Sequence, residues 1–140
     1  MDLPFAEDIG HYWMTGSSPP DTWIDRAKKL IKEVKGVILA EGYGSMGDQA
    51  AYMLSFKIND DRYKVVFPVL RSRTGRQGAA KRQAATMLHH DIKAKCMVAS
   101  VVGVRAAFFA YLMLPDGRMA SELAAPELSQ AFPSLLKQQF

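Results

Sequence analysis

The hydrophobic positions of two segments repeat with the three- to four-residue spacing of a helix. Between Trp23 and Val34 this spacing predicts a helix over about residues 22–35, with Asp21 or Thr22 as the capping residue. Residues 79–102 consist mostly of good helix formers and contain no proline, which predicts a second, longer helix. Its two sides differ in polarity: Ala84, Leu88, Ile92, Cys96 and Ala99 fall on one, and Arg82, Thr86, His89 and Lys93 on the other.

Three other segments have the patterns of strands. Residues 37–40 begin an apolar run that breaks up in the glycine-rich stretch 42–47, for which a flexible hairpin turn is predicted. Apolar and polar residues then alternate over 52–58 and 63–69, so the three segments predict an antiparallel meander. Pro68 places the third strand at a sheet edge or a bulge, because proline cannot donate a hydrogen bond to a neighbouring strand.

Residues 105–114 form an almost continuous apolar run before the turn-forming Pro115-Asp116-Gly117, which predicts a fourth, well-buried strand. The predicted fold is α+β with two layers: a three- or four-stranded, mainly antiparallel sheet packs against two main helices, and short C-terminal helices follow. We expect a single domain over 1–140. It consists of an N-terminal arm without regular structure (1–20), an α-β-β-β-α-β core (21–118) and a helical tail (119–140). The expected core includes Phe67, Leu88, Ile92, Phe108 and Leu112.

The overall composition is that of an ordinary folded domain. Of the 140 residues, 49% are hydrophobic and 23% are charged, which excludes the apolar-poor composition of disordered chains. Cys96 is the only cysteine, so an internal disulfide is excluded and a reducing compartment is expected. The first twenty residues lack the pattern of a secretion signal, and no stretch reaches the ~18 apolar residues of a membrane span. A cytoplasmic protein without membrane contact is therefore expected.

Positive charge is concentrated in one part of the chain. The net charge is only +4, but between Arg71 and Lys95 seven basic side chains stand against Asp91 alone. A flexible loop, residues 71–78, leads from three arginines into a helix N-terminus and offers guanidinium groups, hydroxyls and backbone amides that suit phosphate oxygens. The predicted nucleic-acid-binding residues are Arg71, Arg73, Arg76, Lys81, Arg82, His89 and Lys93.

The alternative is that this loop has no binding function and is only solvated or paired with acids of the same domain. No aromatic residue is interleaved with the basic ones, so base stacking is not expected to contribute much at this segment.

The other motifs give weaker signals. Gly42–Gly47 matches G-x-G-x-x-G, but a strand follows it where a dinucleotide site needs a helix, so a hairpin turn is favoured over a ligand loop. His89-His90-Asp91 on a helix point in different directions and do not predict a metal site, and Cys96 is expected to pack as a small apolar residue. The scattered carboxylates show no acid–base spacing: Glu41, Asp48, Asp60, Asp61, Asp91 and Asp116. We therefore predict no catalytic residue, no metal and no cofactor.

Two resemblances to known protein families suggest the biological context of this chain. Over residues 22–90, the order helix, three strands, helix and the stretch Ala80-Lys81-Arg82-Gln83-Ala84-Ala85 resemble a double-stranded-RNA-binding domain, which implies that Lys81 and Arg82 contact the phosphate backbone. Residues 64–69, the helix through 92–95 and residues 108–118 resemble small uncharacterised proteins of bacterial and phage or mobile-element genomes. This second resemblance implies genome-associated work such as replication, recombination or defence interference.

Together these observations favour a small, non-enzymatic nucleic-acid-binding accessory protein that reads backbone more than sequence. The main alternative is a protein-interaction or inhibitory module of a phage or mobile element. Such a module would bind a protein partner or a second copy through the N-terminal arm or the C-terminal tail. A small-molecule enzyme that uses residues 42–47 is a third and weaker alternative.

Overall fold

The structure, a computed structural model, describes residues 3–46 and 49–124. Two main helices, α2 (Pro20–Glu33) and α3 (Gln77–Val102), flank three strands along the chain: β1 (Val37–Met46), β2 (Gln49–Ile58) and β3 (Asp61–Val69). The shorter elements are α1 (Ala6–Ile9), α4 (Val104–Ala107), a 3-10 turn (Phe109–Tyr111) and α5 (Ser121–Ala124). The predicted α+β class is confirmed. In the described part of the chain, no helix combines the length and apolar character needed to cross a membrane.

The sheet is an antiparallel meander with β2 in the centre. Tyr52 of β2 lies between Tyr43 of β1 and Phe67 of β3, and this pairing fixes which side chains share a face. Pro68 lies in the outer strand β3 opposite Ala51, in agreement with the predicted edge position.

The main core lies between one face of the sheet and the two long helices. Trp23 contacts His89, and the thiol of Cys96 reaches the carbonyl of Leu30, so α2 and α3 run in the same direction. Of the predicted core residues, Leu88, Ile92 and Phe108 are fully buried, whereas Phe67 and Leu112 pack against the core and keep partial exposure. Phe108 meets the rings of Phe56 and Tyr63, with centroids 5.7 and 5.8 Å away.

The other face of the sheet is partly covered by the chain around residues 113–122. Ala51 and Met119 are buried there with Leu3, Val66 and Met113 around them. Lys64 is also fully buried, and burial lowers the pKa of its ammonium group while the nearby Glu122 carboxylate opposes that shift.

The predicted fourth strand at 105–114 is wrong. Residues 104–111 form α4 and the 3-10 turn, and only single bridges follow, from Leu112 to Tyr63 and from Met113 to Met119. The run is apolar because Phe108 closes the end of the core, not because it enters the sheet. A short apolar run has no periodicity that separates a buried strand from a helix.

Two further boundaries differ from the prediction. β1 continues through Gly42 and Gly44 to Met46, so these glycines are paired with β2 and the predicted hairpin turn begins no earlier than residue 47, outside the described residues. The N-terminal arm, predicted without regular structure, contains the single helical turn α1. In the tail, α5 is one short helix as expected, and residues 125–140 lie outside the described part.

Candidate nucleic-acid interface

The basic loop between β3 and α3 is held by a carboxylate from the N-terminal arm. Glu7 accepts hydrogen bonds from the hydroxyls of Ser72 (2.9 Å) and Thr74 (3.1 Å) and from the backbone amides of Arg73 (3.1 Å) and Thr74 (3.2 Å). Desolvation opposes ionisation of this carboxyl, but hydrogen bonds from its own amide, Ser72, Arg73 and Thr74 outweigh it and lower the Glu7 pKa to about 2. The loop therefore already binds one anion, which belongs to the same chain.

Arg73 is bound by the next residue of the arm. Its guanidinium donates two parallel hydrogen bonds, of 2.5 and 2.7 Å, to the carboxylate of Asp8. The same guanidinium lies 4.6 Å from the ring centroid of Phe5, and that of Arg71 lies 5.0 Å from the same ring. An acid of the same domain thus neutralises the charge of Arg73.

Three other predicted cations have partners of a different kind. The Arg76 guanidinium approaches the sulfur of Met14 at 3.2 Å, and that of Arg82 donates to the carbonyl of Gly16 at 2.8 Å. The Lys81 ammonium lies 4.3 Å from the ring centroid of Tyr43. Within residues 3–46 and 49–124, none of these three cations forms an ion pair. Among the residues that the structure describes, no acid compensates their charges by direct contact.

An open cleft of about 450 Å³ lies next to Tyr43, the ring that the Lys81 ammonium contacts. Its walls come from the arm, from both strands of the first hairpin, from the basic loop and from the first turn of α3: Phe5, Tyr43, Ser45, Ala50, Arg71, Ser72 and Gln77. Tyr43 keeps 43% of its surface exposed. The glycine-rich stretch and the basic loop, which the sequence presents as separate features, thus contribute to one site.

The aromatic residues of this site were missed by the sequence reasoning, which found none interleaved with the basic residues. Phe5 and Tyr43 are more than 25 residues away from the loop along the chain. The pairing of β1 with β2 and the return of the arm over Arg71, where the Ala6 amide donates to the Arg71 carbonyl at 2.9 Å, bring them there. No local sequence signal marks either contact.

Two predicted site residues lie away from the cleft. His89 is 9% exposed because α2 covers that side of α3, and its ring packs 5.2 Å from that of Trp23. Burial, followed by the charges of His90, Lys93 and Arg26, lowers the His89 pKa. Lys93 is exposed, but twelve residues of helix place it about 18 Å along the axis from Lys81. The structure thus places His89 against α2, and its predicted contact with nucleic acid stays a prediction.

The remaining polar candidates are engaged in other contacts. Asp91 accepts hydrogen bonds from Tyr111 and from Lys95, and His90 stacks on Tyr12 with ring centroids 4.9 Å apart. Among the described residues, no three His, Cys, Asp or Glu side chains are placed to hold a metal ion. Cys96 is half-buried, and burial raises the pKa of its thiol.

The carboxylates considered for acid–base chemistry are dispersed over the surface. Glu41 pairs with Lys28, Asp61 with Arg105 and Asp116 with Arg118. Asp60 is exposed in the turn between β2 and β3, and Asp48 lies outside the described residues.

A scan against protein-family models and searches of curated proteins and of solved structures returned no match.

Proposed function

We propose that the protein is a small, non-enzymatic nucleic-acid-binding accessory protein that contacts phosphates through the basic loop and the first turns of α3. One observation carries the proposal. Arg76, Lys81 and Arg82 have no carboxylate partner among the described residues, and the Lys81 ammonium lies 4.3 Å from the ring centroid of Tyr43, an exposed tyrosine in the wall of an open cleft. Such a cluster attracts polyanions, and guanidinium groups bind phosphate oxygens with two directed hydrogen bonds.

The cleft supports contact with an unpaired base as well as with phosphates. The Tyr43 ring is close to a cation and partly exposed, and Ser45 and Gln77 supply polar groups in the same walls. Single-stranded nucleic acids bind through this combination of cations and aromatic rings. The helix–sheet–helix order and the resemblance of residues 80–85 to a double-stranded-RNA-binding domain keep duplex RNA among the candidate ligands.

The arm lowers the expected strength of binding. If only Arg76, Lys81 and Arg82 neutralise phosphates, the log–log salt slope on duplex DNA is about −3, and if Arg71 and Arg73 also take part it is about −4.5. We therefore expect weak, strongly salt-sensitive binding with little sequence preference.

The test is a fluorescence anisotropy titration with duplex DNA, single-stranded DNA and duplex RNA at low salt. Changing Arg76, Lys81 and Arg82 together to glutamine keeps their stems for packing and is expected to lower affinity by at least roughly tenfold. The matched control changes three exposed lysines outside the cleft, Lys29, Lys32 and Lys57, to glutamine. Equal losses of affinity in both variants would mean that the net charge of the protein alone determines binding. That result would contradict a site at the cleft.

The second candidate function is a protein-interaction or inhibitory module. It is favoured by the neutralisation of Arg73 by Asp8 and by the exposed apolar residues of the arm, Tyr12 and Met14. Absence of salt-sensitive binding to all three nucleic acids would favour this candidate over the first.

A further inference from the structure

The C-terminal end of α3 carries an apolar stripe on its exposed side. Its members recur at positions i, i+3, i+4, i+7 and i+8, the spacing of a helix–helix seam, and we call them the α3 stripe: Ala94, Met97, Val98, Val101 and Val102. Val101 is 84% exposed, Met97 64% and Val102 56%. The stripe contains no charged residue.

The stripe lies on the side of α3 opposite Cys96 and Ala99, which pack against the core, and its last members, Val101 and Val102, also lie beyond the end of the partner helix. Cys96 lies level with Leu30, so α2, which ends at Glu33, stops about one turn before α3 does. The last turn of α3 therefore extends beyond the helix that covers its earlier turns.

From this arrangement we infer that the α3 stripe is the contact surface of a homodimer, with the stripe of a second copy as its occupant. A regular helical seam fits another helix, and the same surface on both copies satisfies a two-fold axis. The exposed fractions correspond to roughly 400–500 Å² of apolar surface per copy, and two copies would bury about 800–1,000 Å². That area suits a weak, reversible dimer.

Charge at the end of the stripe favours an antiparallel crossing. Lys93 is exposed next to Ala94, and parallel helices would place the two Lys93 ammonium groups side by side. In the antiparallel arrangement each Lys93 faces the other end of the partner's stripe, where Val101 and Val102 lie.

The inference does not depend on nucleic-acid binding, and sedimentation velocity of the full chain from about 5 to about 500 µM tests it. We expect a monomer–dimer equilibrium with a Kd on the order of tens of micromolar. Val101→Glu is expected to raise that Kd at least roughly tenfold, because dimerisation would bury an unpaired carboxylate. The matched control is Ser100→Glu, which adds the same charge to the same helical turn beside the stripe and is expected to change the Kd by less than about threefold.

Helical circular dichroism and the melting temperature establish that both variants fold. A wild-type chain that stays monomeric over the whole range would overturn the inference, and so would equal Kd values for the two variants. Hydrogen exchange measured at low and high protein concentration tests whether a second copy covers the stripe. Protection of residues 97–102 that does not rise with concentration would mean that a second copy does not cover the stripe. Binding of the monomer to anionic lipid vesicles that Val101→Glu abolishes would assign the stripe to a membrane surface; either result contradicts the dimer.

Discussion

The carboxylates of the N-terminal arm occupy donors that a phosphate would use, so their removal is expected to strengthen nucleic-acid binding. Glu7 accepts four hydrogen bonds from the loop, and Asp8 holds the Arg73 guanidinium through two. Glu7→Gln with Asp8→Asn removes both charges and keeps side chains of nearly the same size. The arm should stay in place, since the Gln83 side chain still donates to the carbonyls of Ala6 and His11.

The size of the effect follows from the number of phosphates that the loop gains. Release of Arg73 adds one phosphate contact, which makes the log–log salt slope on duplex DNA steeper by about 0.9 and raises affinity about eightfold at 0.1 M salt. Because the Glu7 pKa is about 2, the wild-type carboxylate remains ionised near neutral pH, and pH changes between 6 and 8 do not mimic the variant.

Anisotropy titrations of the variant over a salt series measure both quantities. The control is Glu33→Gln with Asp60→Asn, which removes two exposed carboxylates at the opposite end of the sheet. Beyond about one Debye length, roughly 10 Å at 0.1 M salt, screening limits the effect of these charges, and the control should bind less than about twofold more tightly. Equal affinities and equal slopes for the two double variants would refute the reasoning that the arm competes with phosphate.

Three further predictions concern stability. Phe108→Ala removes a fully buried ring and is expected to cost on the order of 2–5 kcal/mol of unfolding free energy, measured by urea titration; a cost near zero would show that the end of the core is misassigned. The His89 pKa is lowered in the folded protein, so the unfolded chain binds a proton first; stability should be complete above about pH 6.5 and fall below it, and His89→Gln should flatten the thermal-melting profile there. A chelator should leave the melting temperature unchanged, and a lower melting temperature that zinc restores would reveal a bound metal.

The sequence predicted those elements whose side chains repeat with a clear period. Alternation along Tyr63, Val65 and Val69 located β3, and the chemistry of Pro68 assigned it to an edge. Residues 105–114 were misassigned because an unbroken apolar run carries no period. Gly42 and Gly44 were assigned to a turn because glycine is common there, yet a glycine backbone also accepts a strand conformation when a partner strand pairs with it.

The candidate site was predictable only in its local part. The cations near the start of α3 lie close together along the chain, so the sequence alone shows them as a group. The Glu7–Ser72 contact spans 65 residues, and no local sequence signal predicts it. The same holds for the burial of His89, which depends on how α2 packs and not on the polarity of its neighbours in α3. Tertiary contacts decided which of the predicted cations have uncompensated charges.

The number of phosphates neutralised at the cleft tests the central proposal most directly. It is measured as the salt slope of binding to duplex DNA for the wild type and for the variant with Arg76, Lys81 and Arg82 changed to glutamine. We expect a wild-type slope between about −3 and −4.5 and a loss of about 2.7 units in the variant, with unchanged folding. A wild-type slope near zero, or a slope that survives the three substitutions, would contradict nucleic-acid binding at this cleft.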